Sequence, residues 1–116
     1  TDTQNFAAVA IGRYAGENNQ GTRSVAIGNR AGEYNQGKYS LALGGGAGQS
    51  NMPDNTIVLN ATGSDAGGGT AYLNPTVGNA FYVKPVRHVV SGSQPVGFYQ
   101  MLYNPTTGEI IYWTTS

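Results

Sequence analysis

Val9-Ala-Ile-Gly12 returns as Val25-Ala-Ile-Gly28, then as Leu41-Ala-Leu-Gly44 and as Ile57-Val-Leu-Asn60, each 16 residues after the one before. Other positions keep the same step, since a Ser or Thr stands directly before each of the last three tetrads. A fixed period without insertions indicates a repeat architecture, in which each repeat is one structural unit that stacks on the next.

The composition of one repeat predicts which architecture this is. Large branched residues alternate with Ala in the first three tetrads, and a period of two predicts a β-strand. The rest of each repeat is rich in Gly, Asn and Gln, which favour turns. We therefore predict an all-β fold, a parallel β-solenoid (β-roll) of 16-residue repeats. A low-complexity segment without a fold is the alternative, and the shared phase of the four tetrads disfavours it.

The branched residues are predicted to form the structural core, stacked from repeat to repeat. The opposite face carries mostly Ala, Ser and Gly, and we expect it to pack against another copy of the chain. Three thin solenoids could then share one core as a homotrimer. The predicted core residues are Val9, Ile11, Val25, Ile27, Leu41, Leu43, Ile57 and Leu59.

Composition excludes several classes of protein. The chain has 116 residues, of which 39% are hydrophobic; such a chain builds only a small core alone, which favours oligomers. Six basic and six acidic side chains give no clustered charge for nucleic acid. Low charge and 18 glycines suit an extracellular fibre.

No targeting or membrane segment is recognisable in the sequence. No apolar run approaches the ~18 residues of a membrane span, so no membrane insertion is predicted. The chain starts Thr1-Asp-Thr-Gln-Asn-Phe6, without an initiator Met or a signal peptide, and we expect a fragment or a processed product of a longer protein. The absence of cysteine rules out a disulfide framework.

Composition also predicts the domain boundaries. Residues 1–60 hold the solenoid repeats, with the tetrad at 57–60 as their cap, and residues 61–70 are a Gly-rich junction. Residues 71–116 are predicted to be an aromatic β-hairpin module, since they hold the only Trp and most of the Pro.

A hairpin is the clearest element of this last module. Phe98–Tyr103 and Glu109–Thr114 alternate in polarity, and Asn104-Pro-Thr-Thr-Gly108 lies between them, as in a longer hairpin loop. Its large side chains are predicted to hold three chains in register. These trimerisation residues are Phe98, Leu102, Ile110, Tyr112 and Trp113.

Two phrases resemble known families. Ser24-Val-Ala-Ile-Gly28 resembles the head repeat of trimeric autotransporter adhesins of the YadA kind. Phe81-Tyr-Val-Lys-Pro-Val-Arg87 and Leu102-Tyr-Asn-Pro-Thr-Thr-Gly-Glu-Ile-Ile-Tyr112 are similar to the segment of phage and giant-virus fibre proteins upstream of a self-cleaving intramolecular chaperone. The first resemblance implies a left-handed parallel β-roll with three chains around one axis. The 16-residue period fits the viral variants better than the bacterial heads.

The expected function is structural and adhesive: a segment of a fibre or spike, as in a viral or phage tail fibre, that binds a cell-surface carbohydrate or protein receptor. One alternative is a subunit that polymerises end to end into an extracellular filament, through exposed strand edges. A second is a fragment of a polysaccharide depolymerase, which would need two carboxylates facing one groove. No enzymatic activity is predicted.

Aromatic and charged residues of the turns are the candidates for contact with a ligand. Tyrosine rings beside Asn and Gln could stack on sugars, or they could pad the turns or the subunit interface; the three are Tyr14, Tyr34 and Tyr39. Glu17 and Glu33 repeat at the 16-residue step with Arg13 and Arg30 nearby. A solvated charge ladder is favoured there over a pair of catalytic carboxylates.

Motifs for catalysis, cofactors and metals are weak. His88 could be combined with Ser91 and Asp65, but no spacing fixes their geometry and we expect a structural or surface role. The Gly runs lack the residues of a phosphate loop. We predict no catalytic residue, no cofactor and no metal ligand. Asn60-Ala-Thr62 is a formal glycosylation sequon, and Asn60 could equally be a turn residue.

Overall fold

The structure is a computed structural model that describes residues 5–62, 72–87, 92, 96–104, 106–107 and 109–113. Within these residues it is all-β, as predicted, and contains no helix. The strands are β1 (Val9–Ile11), β2 (Val25–Ile27), β3 (Leu41–Leu43), β4 (Ile57–Asn60), β5 (Phe81–Lys84), β6 (Gln100–Tyr103) and β7 (Ile110–Trp113). The chain divides into two compact units, Thr1–Val86 and Arg87–Ser116.

The first unit is built on a parallel five-stranded sheet in the order β1-β2-β3-β4-β5. Val25 lies opposite Val9 on one side and Leu41 on the other, so the pairing follows the 16-residue step of the sequence. Hydrogen bonds between repeats continue outside the strands, for example from the N–H of Asn18 to the carbonyl oxygen of Glu33 at 2.8 Å. Each repeat is therefore bonded to the next in its turns as well.

The two faces of this sheet are oriented opposite to our expectation. Ala26, Ala42 and Val58 are 0% exposed and form the interior of the unit. The eight branched residues predicted as core lie on the outside of the single chain: Val9, Ile11, Ile27 and Ile57 are exposed, and Val25, Leu41, Leu43 and Leu59 are half-buried. The physical reason is space, because small side chains fill the narrow interior of this unit without overpacking it.

The other wall of the interior carries Ala together with long unbranched side chains. Ala15, Ala31 and Ala47 belong to the buried cluster, as does Met52. Gln20 is fully buried, and its Nε2 donates a 2.6 Å hydrogen bond to the carbonyl oxygen of Val9. Polar side chains can therefore fill this core because they bond to the backbone on the opposite side.

The fifth strand shifts the predicted domain boundary. β5 begins 24 residues after β4, yet Phe81 pairs in parallel with Ile57. Leu73 also joins the stack, since its carbonyl oxygen accepts a 2.8 Å bond from Gly48 N–H. Residues 72–86 thus belong to the first unit and not to the aromatic module, and β4 is covered by another strand and is not the cap. Most of the predicted junction, residues 63–70, lies outside the described residues.

The second unit contains the predicted hairpin. β6 and β7 pair antiparallel, with Gln100 opposite Trp113 and Tyr103 opposite Ile110. The N–H of Asn104 donates to the carbonyl oxygen of Glu109 at 2.9 Å and closes the loop. The side-chain Oδ1 of Asn104 accepts bonds of 2.9 Å and 3.3 Å from the next two described N–H groups, which fixes the turn.

Candidate functional site

Large apolar side chains line the outside of the parallel sheet, one pair on each strand. Phe81 and Val83 of β5 are 52% and 38% exposed and continue the column begun by β1. Single exposed apolar residues are ordinary, whereas a contiguous series marks an interaction surface. We call this surface the outer strip; it consists of Val9, Ile11, Val25, Ile27, Leu41, Leu43, Ile57, Leu59, Phe81 and Val83.

The predicted trimerisation residues do not come together within the chain. Successive residues of a strand point to opposite faces, so the register places Leu102 and Trp113 on one face of the hairpin and Ile110 and Tyr112 on the other. All eight residues of β6 and β7 are exposed. Phe98 precedes β6 and is 56% exposed. The hairpin thus presents large, exposed side chains on both faces, and within the unit Tyr112 stacks on Tyr99 with 5.4 Å between the ring centroids.

The three candidate tyrosines occupy three different positions of the repeat. Tyr14 is half-buried, while Tyr34 and Tyr39 are 40% and 57% exposed. The guanidinium of Arg30 approaches the ring of Tyr14. The pKa of Tyr34 is raised mainly by Glu33, and the positive charge of Arg30 partly opposes this shift. No contact among the described residues joins Tyr39 to this group; its N–H donates to the carbonyl oxygen of Thr22 at 3.0 Å.

Two arginines surround the ring of Tyr14. The guanidinium carbon of Arg13 lies 4.7 Å from the ring centroid, and that of Arg30 lies 4.6 Å from it, within the range of cation–π attraction. Arg13 Nη2 also donates to the hydroxyl oxygen of Tyr14 at 3.0 Å. We call these three residues the Arg–Tyr cluster. The signal for it was in the sequence, because Arg30 follows Tyr14 by one 16-residue step and so stacks on it.

Glu33 holds Arg30 in place. Arg30 Nη1 donates to both carboxylate oxygens, at 3.1 and 3.0 Å, and Gln49 Nε2 donates to Oε1 at 2.9 Å. Glu33 is 1% exposed, so the prediction of a solvated charge ladder is wrong for this residue. The hydrogen bond that Arg30 donates to Glu33 is the main cause that raises the pKa of Arg30. The negative charge of Glu33 is the main cause that raises the pKa of Tyr34.

The remaining sequence candidates carry no site. Asn60 is 4% exposed, and its Nδ2 donates to the carbonyl oxygen of Gly45 at 2.7 Å, so the sequon's amide is not accessible for glycosylation in this fold. His88, Ser91 and Asp65 lie outside the described residues. In the part of the chain that the structure describes, no three His, Cys, Asp or Glu side chains group as metal ligands would. The same part has no helix of the length and apolarity that crossing a membrane requires.

Comparisons with protein families, with curated proteins and with solved structures find no match to this chain. The function is therefore argued from the surfaces themselves. Two of them stand out: the apolar outer strip, and the Arg–Tyr cluster formed by the turns that follow β1 and β2.

Proposed function

We propose that this chain is a structural segment of a fibre or spike, in which three parallel copies of a β-solenoid associate and carry a receptor-binding surface. The outer strip is the observation that carries this proposal. Most of the large apolar side chains of the repeats lie outside the chain, while its interior is filled mainly by Ala, Ser, Thr and Gln, with Val58 and Met52 as its larger apolar side chains. Such a surface is stable in water when another apolar surface covers it.

The energetics favour association through this strip. Full burial of one exposed large apolar side chain contributes roughly 1.5–3 kcal/mol. Each of the five strands supplies a pair of large apolar side chains, some of them already half-buried. With strands spaced about 4.8 Å apart, the strip is on the order of 20 Å long. The strip crosses five strands but is only two side chains wide on each. Such a narrow strip suits several copies that converge on one axis, and a closed ring of identical contacts gives a cyclic oligomer.

The hairpin supports the same assembly. The large apolar residues of β6 and β7 are each at least 44% exposed, so a single copy buries neither face of the hairpin. An isolated two-stranded hairpin is marginally stable in water. Contacts with hairpins of other copies would bury both faces at once, and this would fix the number of chains.

An adhesive role, with a location outside the cell or on a virion, follows from the resemblance of the repeats and of the tail to adhesin heads and viral fibres. A depolymerase is not supported by the predicted carboxylates, because Glu33 is buried and paired with Arg30. End-to-end polymerisation would use strand edges and would leave the outer strip uncovered.

The mass of the assembly in solution tests this proposal. Sedimentation of the whole chain at micromolar concentration should give a trimer. Ile27→Asp should release monomers that keep their β-sheet circular dichroism, because residue 27 lies on the outer face. Asn29→Asp adds the same charge at an exposed turn position two residues on and should leave the trimer intact. A folded wild-type monomer would refute the assembly, and long filaments in electron micrographs would replace it by the filament alternative.

A further inference from the structure

The Arg–Tyr cluster places two cationic groups of neighbouring repeats on one aromatic ring. The guanidinium carbons of Arg13 and Arg30 lie 4.7 and 4.6 Å from the centroid of the Tyr14 ring. Two positive groups on one ring repel each other, and an anion near both is attracted by both.

The cluster brings two guanidinium groups to one ring. Arg30 is paired with the buried carboxylate of Glu33, and a second carboxylate, Glu17, acts through its charge on Tyr34. The side chain of Arg30 is 34% exposed, and Arg13 is an exposed residue. The described hydrogen bonds use Nη1 of Arg30 and Nη2 of Arg13. The other nitrogens of both guanidinium groups remain available as donors.

Glu33 makes Arg30 a fixed donor. The buried carboxylate accepts from Arg30 and Gln49, so the guanidinium is held before a ligand arrives. A group that is already ordered loses less conformational entropy on binding. Arg also binds carboxylate and sulfate oxygens through paired, charge-assisted bonds, which a Lys would not provide.

Aromatic surface lies next to these charges. Tyr34 is 40% exposed and Tyr72 is 47% exposed. Tyr34 directly follows Glu33, the partner of Arg30, and pairs with Asn18 of the preceding repeat. Rings of this kind offer an apolar face to the C–H side of a sugar and a hydroxyl to its polar edge.

We propose that the Arg–Tyr cluster binds the anionic group of an acidic saccharide, a carboxylate or a sulfate, through the guanidinium groups of Arg13 and Arg30, with the sugar ring against the neighbouring tyrosines. This names the ligand class for the adhesive function proposed above and rests on it. Each site would bind weakly, and three copies in one assembly would gain avidity for a surface that repeats the sugar.

Calorimetry with defined saccharides on the wild-type assembly tests the ligand class. The probes are sialyllactose, which carries a carboxylate, a sulfated heparin tetrasaccharide, and neutral lactose. We expect one or both acidic probes to bind and lactose to bind at least about tenfold more weakly, since a charge-assisted pair is lost. The two acidic probes then show which anionic group is preferred. Equal binding of lactose, or no binding of either acidic probe, overturns the proposal.

A matched pair of variants tests the location. Arg13→Gln should weaken binding of the acidic probe about tenfold. Arg23→Gln removes the same charge from another turn, where the guanidinium lies 5.4 Å from the ring centroid of Phe6, and should have no effect. An equal loss in both variants would show only a general charge effect and would overturn the site. Sedimentation measures the assembly of each variant independently of saccharide binding. A trimer that does not bind acidic saccharides refutes this site and leaves the fibre proposal unaffected.

Discussion

The side-chain amide of Gln36 donates a 2.8 Å hydrogen bond to the carbonyl oxygen of Val25, across the interior of one repeat. Its Oε1 lies 3.2 Å from Ser24 Oγ, whose single proton is shared with a closer acceptor, the carbonyl oxygen of Gly21 at 2.6 Å. The donating end of this buried amide is thus paired and links the two walls of the repeat. The interior is thus held together by hydrogen bonds as well as by small apolar contacts.

One repeat earlier this arrangement is incomplete. Gln20 Oε1 is buried and has no hydrogen-bond partner among the described residues, since Ala8 stands where the next repeat has Ser24. We predict that Ala8→Ser raises the free energy of unfolding by about 0.5–1.5 kcal/mol, because it places a hydroxyl beside Gln20 Oε1 as Ser24 stands beside Gln36 Oε1. Urea denaturation measures this free energy. The reverse change, Ser24→Ala, removes the hydroxyl from Gln36 Oε1 and from the carbonyl oxygen of Gly21 and should lower stability; a gain from Ser24→Ala would contradict this account.

The two faces of β3 should respond in opposite ways to a change of size. Ala42 is 0% exposed, so Ala42→Leu would overpack a narrow interior and should lower stability by about 1–3 kcal/mol. Leu41→Ala removes a half-buried side chain from the outer strip and should weaken association more than folding. Thermal melts at several protein concentrations separate the two effects. Concentration-independent loss in Leu41→Ala would place that residue in the core of the single chain.

The register of β1–β4 and the hairpin were predictable from the sequence, whereas the inward face was not. Repetition of the tetrad from Val9 to Ile57 determines which residues pair. Alternation with a period of two is symmetric, however, and does not say which face is inside. Which face lies inside depends on the width of the interior, and only the three-dimensional backbone shows that width. Burial of Glu33 likewise depends on Gln49, one repeat further along.

Close contact between repeats limits the residues that a strand end accepts. Gly28 has a φ of +130°, and a Cβ there would lie 2.7 Å from the backbone carbonyl atoms of Gly44. We predict that Gly28→Ala is strongly destabilising, by more than about 1 kcal/mol, because both backbone strain and a clash oppose it. Gly92→Ala is the control, since a Cβ at that position meets nothing within 4 Å. Equal melting temperatures of the two variants would disprove the predicted contact.

Tyr34 should titrate late in the folded protein. The charge of Glu33 raises its pKa above the usual value of about 10. The folded protein therefore binds the hydroxyl proton of Tyr34 more tightly than the unfolded protein does. The stability that this proton contributes is complete below the unfolded pKa of tyrosine and is lost as pH rises through the folded pKa. Near-ultraviolet absorbance of tyrosinate follows the titration, with Tyr34→Phe to identify the signal. Glu33→Gln should move the titration to lower pH; an unchanged curve would refute the coupling.

The last prediction separates the roles of the two units in assembly. In the proposed assembly the outer strip would let copies associate, but each short repeat presents a similar pair of apolar residues and does not define how many copies join. The hairpin is different, because Trp113 and Tyr112 point to opposite faces and both are exposed, so contacts with two other copies would cover both. Deletion of residues 97–116 should therefore abolish stable trimers while the parallel sheet keeps its circular dichroism. Sedimentation and heating of the shortened chain decide this: trimers that survive deletion and heating would show that the outer strip alone sets the number of chains.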